Sequence, residues 1–434
     1  MFKYGFQFCF YGKGLMDDFH YEGGRLFCEG AALEDIAREV GTPVYVYSHN
    51  TLARHFRVFD EAFSGLPHIV CFAMKANSNG AVVRTFARQG GGADVVSGGE
   101  LHRALKAGVP ADKIVYAGVG KADWEIEYAL KSGILMFNIE SEEELRAVDR
   151  VAGGLGVKAP VALRINPDVD PKTHPYISTG LKKNKFGIAI EDAVESYVAA
   201  SKLPNITVVG IHQHIGSQLT ETAPFVDSIT KTVGLVRTLK AEGLAIRYID
   251  VGGGLGIRYE DEAPPLPSEL AGALRPLFTG LDCTLVFEPG RVLVGNAGCL
   301  VTKALYRKSS GAKNFVIVDA GMNDLIRPTL YQAYHEIRPV TRSEGGEEFT
   351  ADVVGPICET GDFLAKDRKM PVPAQGDLLA VMSAGAYGFT MSSNYNSRPR
   401  AAEVMVDGAR VHVVRRRETL DDLTRGEETP EFLI

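Results

Sequence analysis

Lys75 closes the apolar run IVCFAM (69–74) and is followed by Ala76 and Asn77. An ammonium at the end of a buried segment is costly unless it is paired, shifted in pKa or used covalently. Two readings stand side by side: a lysine whose amine reaches the rim, and a Schiff-base lysine in a pocket. Gly252, Gly253 and Gly254 follow the run YIDV (248–251). Consecutive glycines let backbone N–H groups approach an anion closely. Ile257 stands where GxGxxG needs its last glycine, so the dinucleotide fingerprint is absent. A cup for a monophosphate fits better, with a plain tight turn as the alternative. Gly118-Val119-Gly120-Lys121 is no P-loop, because the upstream glycine and a Ser/Thr after the lysine are missing.

His212 and His214, two apart on a strand-like run, point to one face. No third ligand stands out beside them, so no metal is expected; each reads as a ring stacked on a planar ligand or as a core histidine. Glu288 and Arg291, in EPGR, could hold a protonated ring nitrogen and an anionic group, or simply pair with each other. Further on, Asp324, Arg327, Tyr331, Cys358, Glu359, Asp362 and Tyr387 add polar chemistry. Cys358-Glu359 sits in GPICETGD, a glycine-bounded loop of the kind that carries function more often than a core does.

These residues need a scaffold. Eight short apolar runs begin near residues 69, 92, 114, 135, 161, 209, 248 and 285, separated by amphipathic helical stretches. One such stretch, after Ser141, predicts a capping box, with Glu144 reaching back to the N-cap. Eight strand–helix repeats predict a (β/α)₈ TIM barrel over 42–294, with a doubly wound sheet as the alternative. Lys75, Asp94, Ser97, Asn138, Arg164, His214, the glycine cup and Glu288 all fall at the C-terminal ends of these runs. In a barrel those ends share one face, which marks an enzyme. After residue 295 strand-like runs with turns and little helical period predict a β-rich domain, discontinuous over 1–41 and 295–434.

With 434 residues the chain exceeds one ordinary core, in keeping with two domains. Lys+Arg 47 against Asp+Glu 54 leaves a net charge of −7, which speaks against a nucleic-acid partner. No apolar stretch is long enough to cross a bilayer. The opening MFKYGFQFCFYGKGLM has no continuous apolar run or small-residue cleavage site, so no secretory signal is expected. It reads as a short strand or as an extension ahead of a start at Met16. Cys9, Cys28, Cys71, Cys283, Cys299 and Cys358 show no framework spacing and read as reduced cytoplasmic thiols, the first five as small buried hydrophobes.

FAMKAN, DVVSGGE, ALRINP, KFGI, HQHIGSQ, DVGGGLG, EPGR, DAGMNDLIRPTLY, GPICETGD and GAYGFTMSSNYNSRPR occur in this order. Together they resemble the diaminopimelate decarboxylases, fold-type III pyridoxal-phosphate enzymes of lysine biosynthesis, from about Gly41 to Arg400. The resemblance implies decarboxylation of meso-2,6-diaminopimelate to L-lysine, with Lys75 forming the internal aldimine of pyridoxal 5'-phosphate. It implies that His214 stacks on the cofactor ring, and that Ser217, Gly252, Gly253, Gly254, Glu288, Gly290 and Arg291 surround phosphate and pyridine. Asp94 and Arg164 match supporting positions, and Tyr387 contacts the cofactor and faces the substrate. Arg291, Arg327 and Tyr331 would grip the distal carboxylate, Glu359 the distal ammonium, and Cys358 would deliver the proton replacing carbon dioxide. It further implies a homodimer whose Cys358-Glu359 loop reaches the neighbouring site. A decarboxylase of ornithine, arginine, carboxynorspermidine or a carrier-bound glutamyl group should lack the Arg327/Tyr331/Glu359 set. A non-catalytic homologue should lack Lys75 or Cys358, and an alanine racemase would use a tyrosine as second base.

Overall fold

The computed structural model describes residues 17–170, 185–342 and 347–434; readings that fall on the first sixteen residues, Cys9 among them, lie outside these. Eight parallel strands close on themselves: β1 His68–Ala73, β2 Gly92–Val95, β3 Ile114–Tyr116, β4 Met136–Ile139, β5 Ala159–Asn166, β6 Ile206–His212, β7 Tyr248–Asp250 and β8 Thr284–Phe287. The last pairs with the first through Val286 and Ile69, so no edge is left. All eight expected runs are strands of this barrel, and the open-sheet alternative is excluded by that closure. Every residue of β2, β3 and β4 is buried, as expected for parallel strands covered on one side by helices and filled on the other by side chains. At Gly92 the neighbouring chain leaves no room for a side chain: a Cβ there would lie 2.1 Å from the Lys113 carbonyl oxygen.

The helices are started by side chains that satisfy orphan backbone donors. Ser97 Oγ accepts from Glu100 N and Ser141 Oγ from Glu144 N. Ser97, expected among the strand-end polar residues, is thus a helix cap. The expected capping box at Ser141 is modified. Glu144 reaches one residue further, to Glu140 N, while its other oxygen takes the Lys121 ammonium. Both charges are buried, and Lys121 also donates to the carbonyls of Gly118 and Asn138 at 2.8 Å each. A helix cap has become a tie between two βα loops on the C-terminal face.

The β domain is built on the strand Gly298–Ser309, which leads directly out of the barrel. The strand Val44–Ser48 pairs with it antiparallel and with Ala402–Asp407 in parallel, so this segment belongs to the β sheet. Hydrogen bonding to two neighbours outweighs its closeness in sequence to the barrel. The hairpin Phe19–Glu22 and Arg25–Cys28 joins the same domain through Leu26 N to the Val340 carbonyl at 2.8 Å. Leu26, Cys28, Val44, Val46, Cys299, Val301 and Val404 form one apolar cluster there. Cys71 is buried in the barrel as expected, whereas Cys283 is only half-buried. Among the described residues no helix is long and apolar enough to cross a membrane.

Candidate active site

A cleft of about 350 Å³ opens at the C-terminal face of the barrel, where it meets the β domain. Lys75, Arg164, His212, His214, Ser217, Gly254, Glu288, Gly290, Arg291, Tyr331 and Tyr387 line it. Its size suits a small-molecule ligand.

Lys75 sits in the single turn Met74–Ala76 that ends β1. The β domain holds that turn: Tyr387 N donates to the Ala76 carbonyl at 2.8 Å, and Asn77 Nδ2 to the Gly385 carbonyl at 3.0 Å. Lys75 Nζ donates to Asp94 Oδ2 at 3.2 Å; Asp94 is fully buried, while the Lys75 side chain is 37% exposed to the cleft. Burial opposes charge on the Lys75 amine, but attraction to Asp94, Glu288 and Tyr387 outweighs it and holds the ammonium above its ordinary range. Burial and repulsion by Glu288 push Asp94 up to about 6 against the pull of Lys75.

Glu288, which follows β8, faces the cleft with His212 Nε2 3.6 Å from Oε1. Burial works against this carboxylate, yet His212, Lys75 and His214 hold it below the usual carboxylate range. Under it lies Asp250, the last residue of β7, which no reading of the sequence had singled out. Asn138 Nδ2 donates to Asp250 Oδ2 at 2.9 Å and to Glu288 Oε1 at 3.2 Å, and Gly252 N donates to Asp250 Oδ1. Burial, and then the Glu288 charge, raise Asp250 well above the carboxylate range. His212, Asp250 and Glu288 bring ligand atoms within 4.8 Å of one another. This is the third ligand the sequence did not show; Asn138 Nδ2 donates to both carboxyl groups.

The glycine cup folds back on the loop after β6. Gly253 N donates to His214 Nδ1 at 3.1 Å, and burial, then Lys75 and Arg164, keep His214 well below its ordinary range. Gly252 and Gly254 have φ of +69° and +122°, which favour glycine, and a Cβ on Gly254 would stand 2.6 Å from the Gly216 carbonyl oxygen. Arg291 Nη2 donates to Ser217 Oγ at 3.0 Å and Nη1 to the Tyr259 hydroxyl at 2.7 Å. Its guanidinium lies 4.8 Å from the Tyr387 ring centroid. Arg164 is fully engaged: Nη1 donates to Glu140 Oε1 at 2.6 Å, and Phe186 lies beneath its guanidinium at 4.6 Å. Glu140 was not foreseen, although it ends the run LMFNIE as Glu288 ends LVFE.

In the β domain Arg327 shares the Tyr259 ring with Arg291, its guanidinium 4.5 Å from the centroid, though it does not line the cleft. Asp324 accepts from Gly321 N, and Asp362 from Met322 N and Ile357 N; both order loops and neither reaches the cleft. Cys358 is exposed, with its N–H donating to Asn396 Oδ1 at 2.8 Å, and Tyr395 OH lies 3.4 Å from Glu359 Oε2. Neither Cys358 nor Glu359 lines the cleft of its own chain.

The donor set suits a planar, anionic cofactor with an aldehyde. An amine, a carboxylate, glycines and a guanidinium line one cavity. Asp94 Oδ1, both ring nitrogens of His212 and Arg291 Nε are buried without a hydrogen-bond partner among the described residues. Barrel, lysine, carboxylate and attached β domain define the pyridoxal-dependent decarboxylases, and the family model described as the pyridoxal binding domain of these enzymes matches residues 49–295. The chain is 57% identical over 410 residues to a diaminopimelate decarboxylase of Vibrio cholerae, covering 94% of this chain and 98% of that protein. Against one from Pseudomonas aeruginosa it is 55% identical over 412 residues, covering 95% and 99%. The structure of a diaminopimelate decarboxylase from Helicobacter pylori complexed with L-lysine superposes with a TM-score of 0.88 at 44% identity, covering 91% of this chain and 98% of that one. The chain belongs to the diaminopimelate decarboxylase family.

Proposed function

We propose that this protein decarboxylates meso-2,6-diaminopimelate to L-lysine and carbon dioxide with pyridoxal 5'-phosphate as cofactor. The observation that carries the substrate assignment is the pair Arg291 and Arg327. Both guanidiniums are buried, neither has a carboxylate partner among the described residues, and the Nε of each lacks an acceptor. Two uncompensated buried cations side by side call for an anion from outside the chain. A precursor with a second carboxylate supplies it, whereas ornithine does not.

When bound, the cofactor supplies a conjugated cationic ring that takes up the electron pair left at Cα as carbon dioxide departs. Lys75 would carry it, with Asp94 beside the amine. Glu288 would face the pyridine nitrogen, where its negative charge would favour a proton, and His214 would lie against the ring. Ser217, Gly252, Gly253, Gly254, Gly290 and Arg291 would hold the phosphate end, and Arg164, fixed by Glu140, keeps the wall beside His214 in place. Arg291, Arg327 and Tyr331 take the distal carboxylate, and Tyr387 closes the cleft from the β domain. Cys358, exposed on its loop, delivers the proton to Cα and Glu359 holds the distal ammonium, both reaching the cleft of a second copy of the chain. A cytoplasmic homodimer with two shared sites is the form we assign, its cysteines reduced.

Purified protein with added pyridoxal phosphate should release carbon dioxide and equimolar L-lysine from meso-diaminopimelate, and Lys75→Ala should abolish this. Release from ornithine or arginine instead would overturn the carboxylate assignment. Release from none of them would overturn the assignment as an enzyme of this class.

A further inference from the structure

Behind the two arginines stands a buried histidine that does not line the cleft. Arg327 Nη1 lies 2.7 Å from His335 Nε2, and a guanidinium can only donate, so Nε2 presents its lone pair. Nδ1 then carries the ring hydrogen and donates it to the Met382 carbonyl at 2.8 Å. Both hydrogen bonds need the neutral ring. Burial, followed by the charge of Arg327, holds this imidazole well below its ordinary range, in agreement with that tautomer. Tyr259 completes the arrangement. Its hydroxyl accepts from Arg291, its ring lies 4.5 Å from the Arg327 guanidinium, and it meets the His335 ring edge-on at 5.3 Å.

We propose that His335 is a positioning residue for substrate specificity: a neutral acceptor that aims Arg327 beside Arg291 while leaving its charge unspent for the substrate's distal carboxylate. An acidic residue in its place would hold Arg327 as firmly, but it would cancel the charge and compete with the ligand. The imidazole occupies Nη1 only, and Arg327 Nε remains without an acceptor among the described residues. The Tyr259 ring attracts the neighbouring guanidinium and offsets the repulsion between the two cations. This inference rests on the functional reading above and names what sets its selectivity for a distal carboxylate over a plain diamine.

The test compares holoenzyme carrying His335→Leu, His335→Gln or His335→Glu, each checked for cofactor absorbance and melting. L-lysine keeps the carboxylate that decarboxylation spares, and 1,5-diaminopentane lacks it. For His335→Leu, KM for meso-diaminopimelate and the L-lysine dissociation constant should each rise about tenfold or more, with kcat changed less than about threefold. Affinity for 1,5-diaminopentane should stay within about twofold. His335→Gln, whose amide oxygen can accept from Arg327, should bring lysine affinity back to within about threefold of the natural protein. His335→Glu, also an acceptor, should weaken it at least as much as the leucine variant. Equal losses for lysine and the diamine, or no loss in His335→Leu, would overturn the proposal. If His335→Leu does not fold, the Gln and Glu variants decide, and equal lysine affinities for these two overturn it. Lysine binding needs no turnover, so a natural protein that fails to release carbon dioxide is read separately from this inference.

Discussion

Neutralising Asp94 should speed the capture of pyridoxal phosphate by the apoprotein. On the role proposed for Lys75, capture needs its unprotonated amine, and the structure surrounds that amine with negative charge. Asp94 Oδ2 is its direct partner at 3.2 Å. At an effective dielectric of about 20 this pair attracts by roughly 5 kcal/mol. The Lys75 side chain is 37% exposed, and solvent screening reduces that figure to about 2–3 kcal/mol. At about 1.4 kcal/mol per tenfold, losing this attraction in Asp94→Asn favours the neutral amine by about a hundredfold. The sign is fixed: removing an anion beside an ammonium favours the neutral amine, and burial acts in the same direction. Near pH 7.5 the neutral fraction, and with it the capture rate, rises about a hundredfold. Stopped-flow absorbance of the bound cofactor, at limiting cofactor and several pH values, reads the rate. An unchanged or slower capture by Asp94→Asn, with the fold intact, would refute the electrostatic account of this lysine.

Glu288→Gln should leave the cofactor bound but lower kcat by about a hundredfold or more, because the proton facing the carboxylate loses its partner; single-turnover carbon dioxide release measures this. Arg164→Met strands the Glu140 carboxylate in the interior and should cost about 3–5 kcal/mol in urea unfolding, and adding Glu140→Gln should recover most of it. His335 is neutral in the fold and ordinary when unfolded, so its contribution is present above about pH 6.5 and is lost as pH falls below that value. Asp94 and Asp324, raised to about 6 and about 7, act in the opposite sense, so the informative quantity is the difference between natural protein and His335→Gln. That difference should shrink from pH 7 to 5.5 in urea midpoints, by no more than one proton's slope.

The strands of the barrel were legible because they are largely buried on both faces, which leaves short, mainly apolar runs that one dimension can show. Lys75, Asp94, His214 and Glu288 were legible for the same reason, as polar residues standing where such a run ends. Asp250 and Glu140 stood in equally visible places but were passed over, since their roles appear only when a partner from another strand is known. Tyr259 and His335 carried no local signal at all: they lie in irregular segments and matter only through Arg291 and Arg327. The capping box shows the limit in miniature. Ser141 and Glu144 predicted a helix start, but Lys121, from another loop, decided where the glutamate points.

The sequence by itself determined the periodicity, the glycines that permit close approach, and the chemical types gathered at the strand ends. These are properties of single residues and near neighbours. Only the tertiary structure decided which charges face each other, that Val44–Ser48 belongs to the β sheet, and that a neutral histidine stands behind Arg327. Such outcomes depend on strand closure and on burial shared by distant segments, and electrostatics at 3 Å is settled by who meets whom, not by order along the chain.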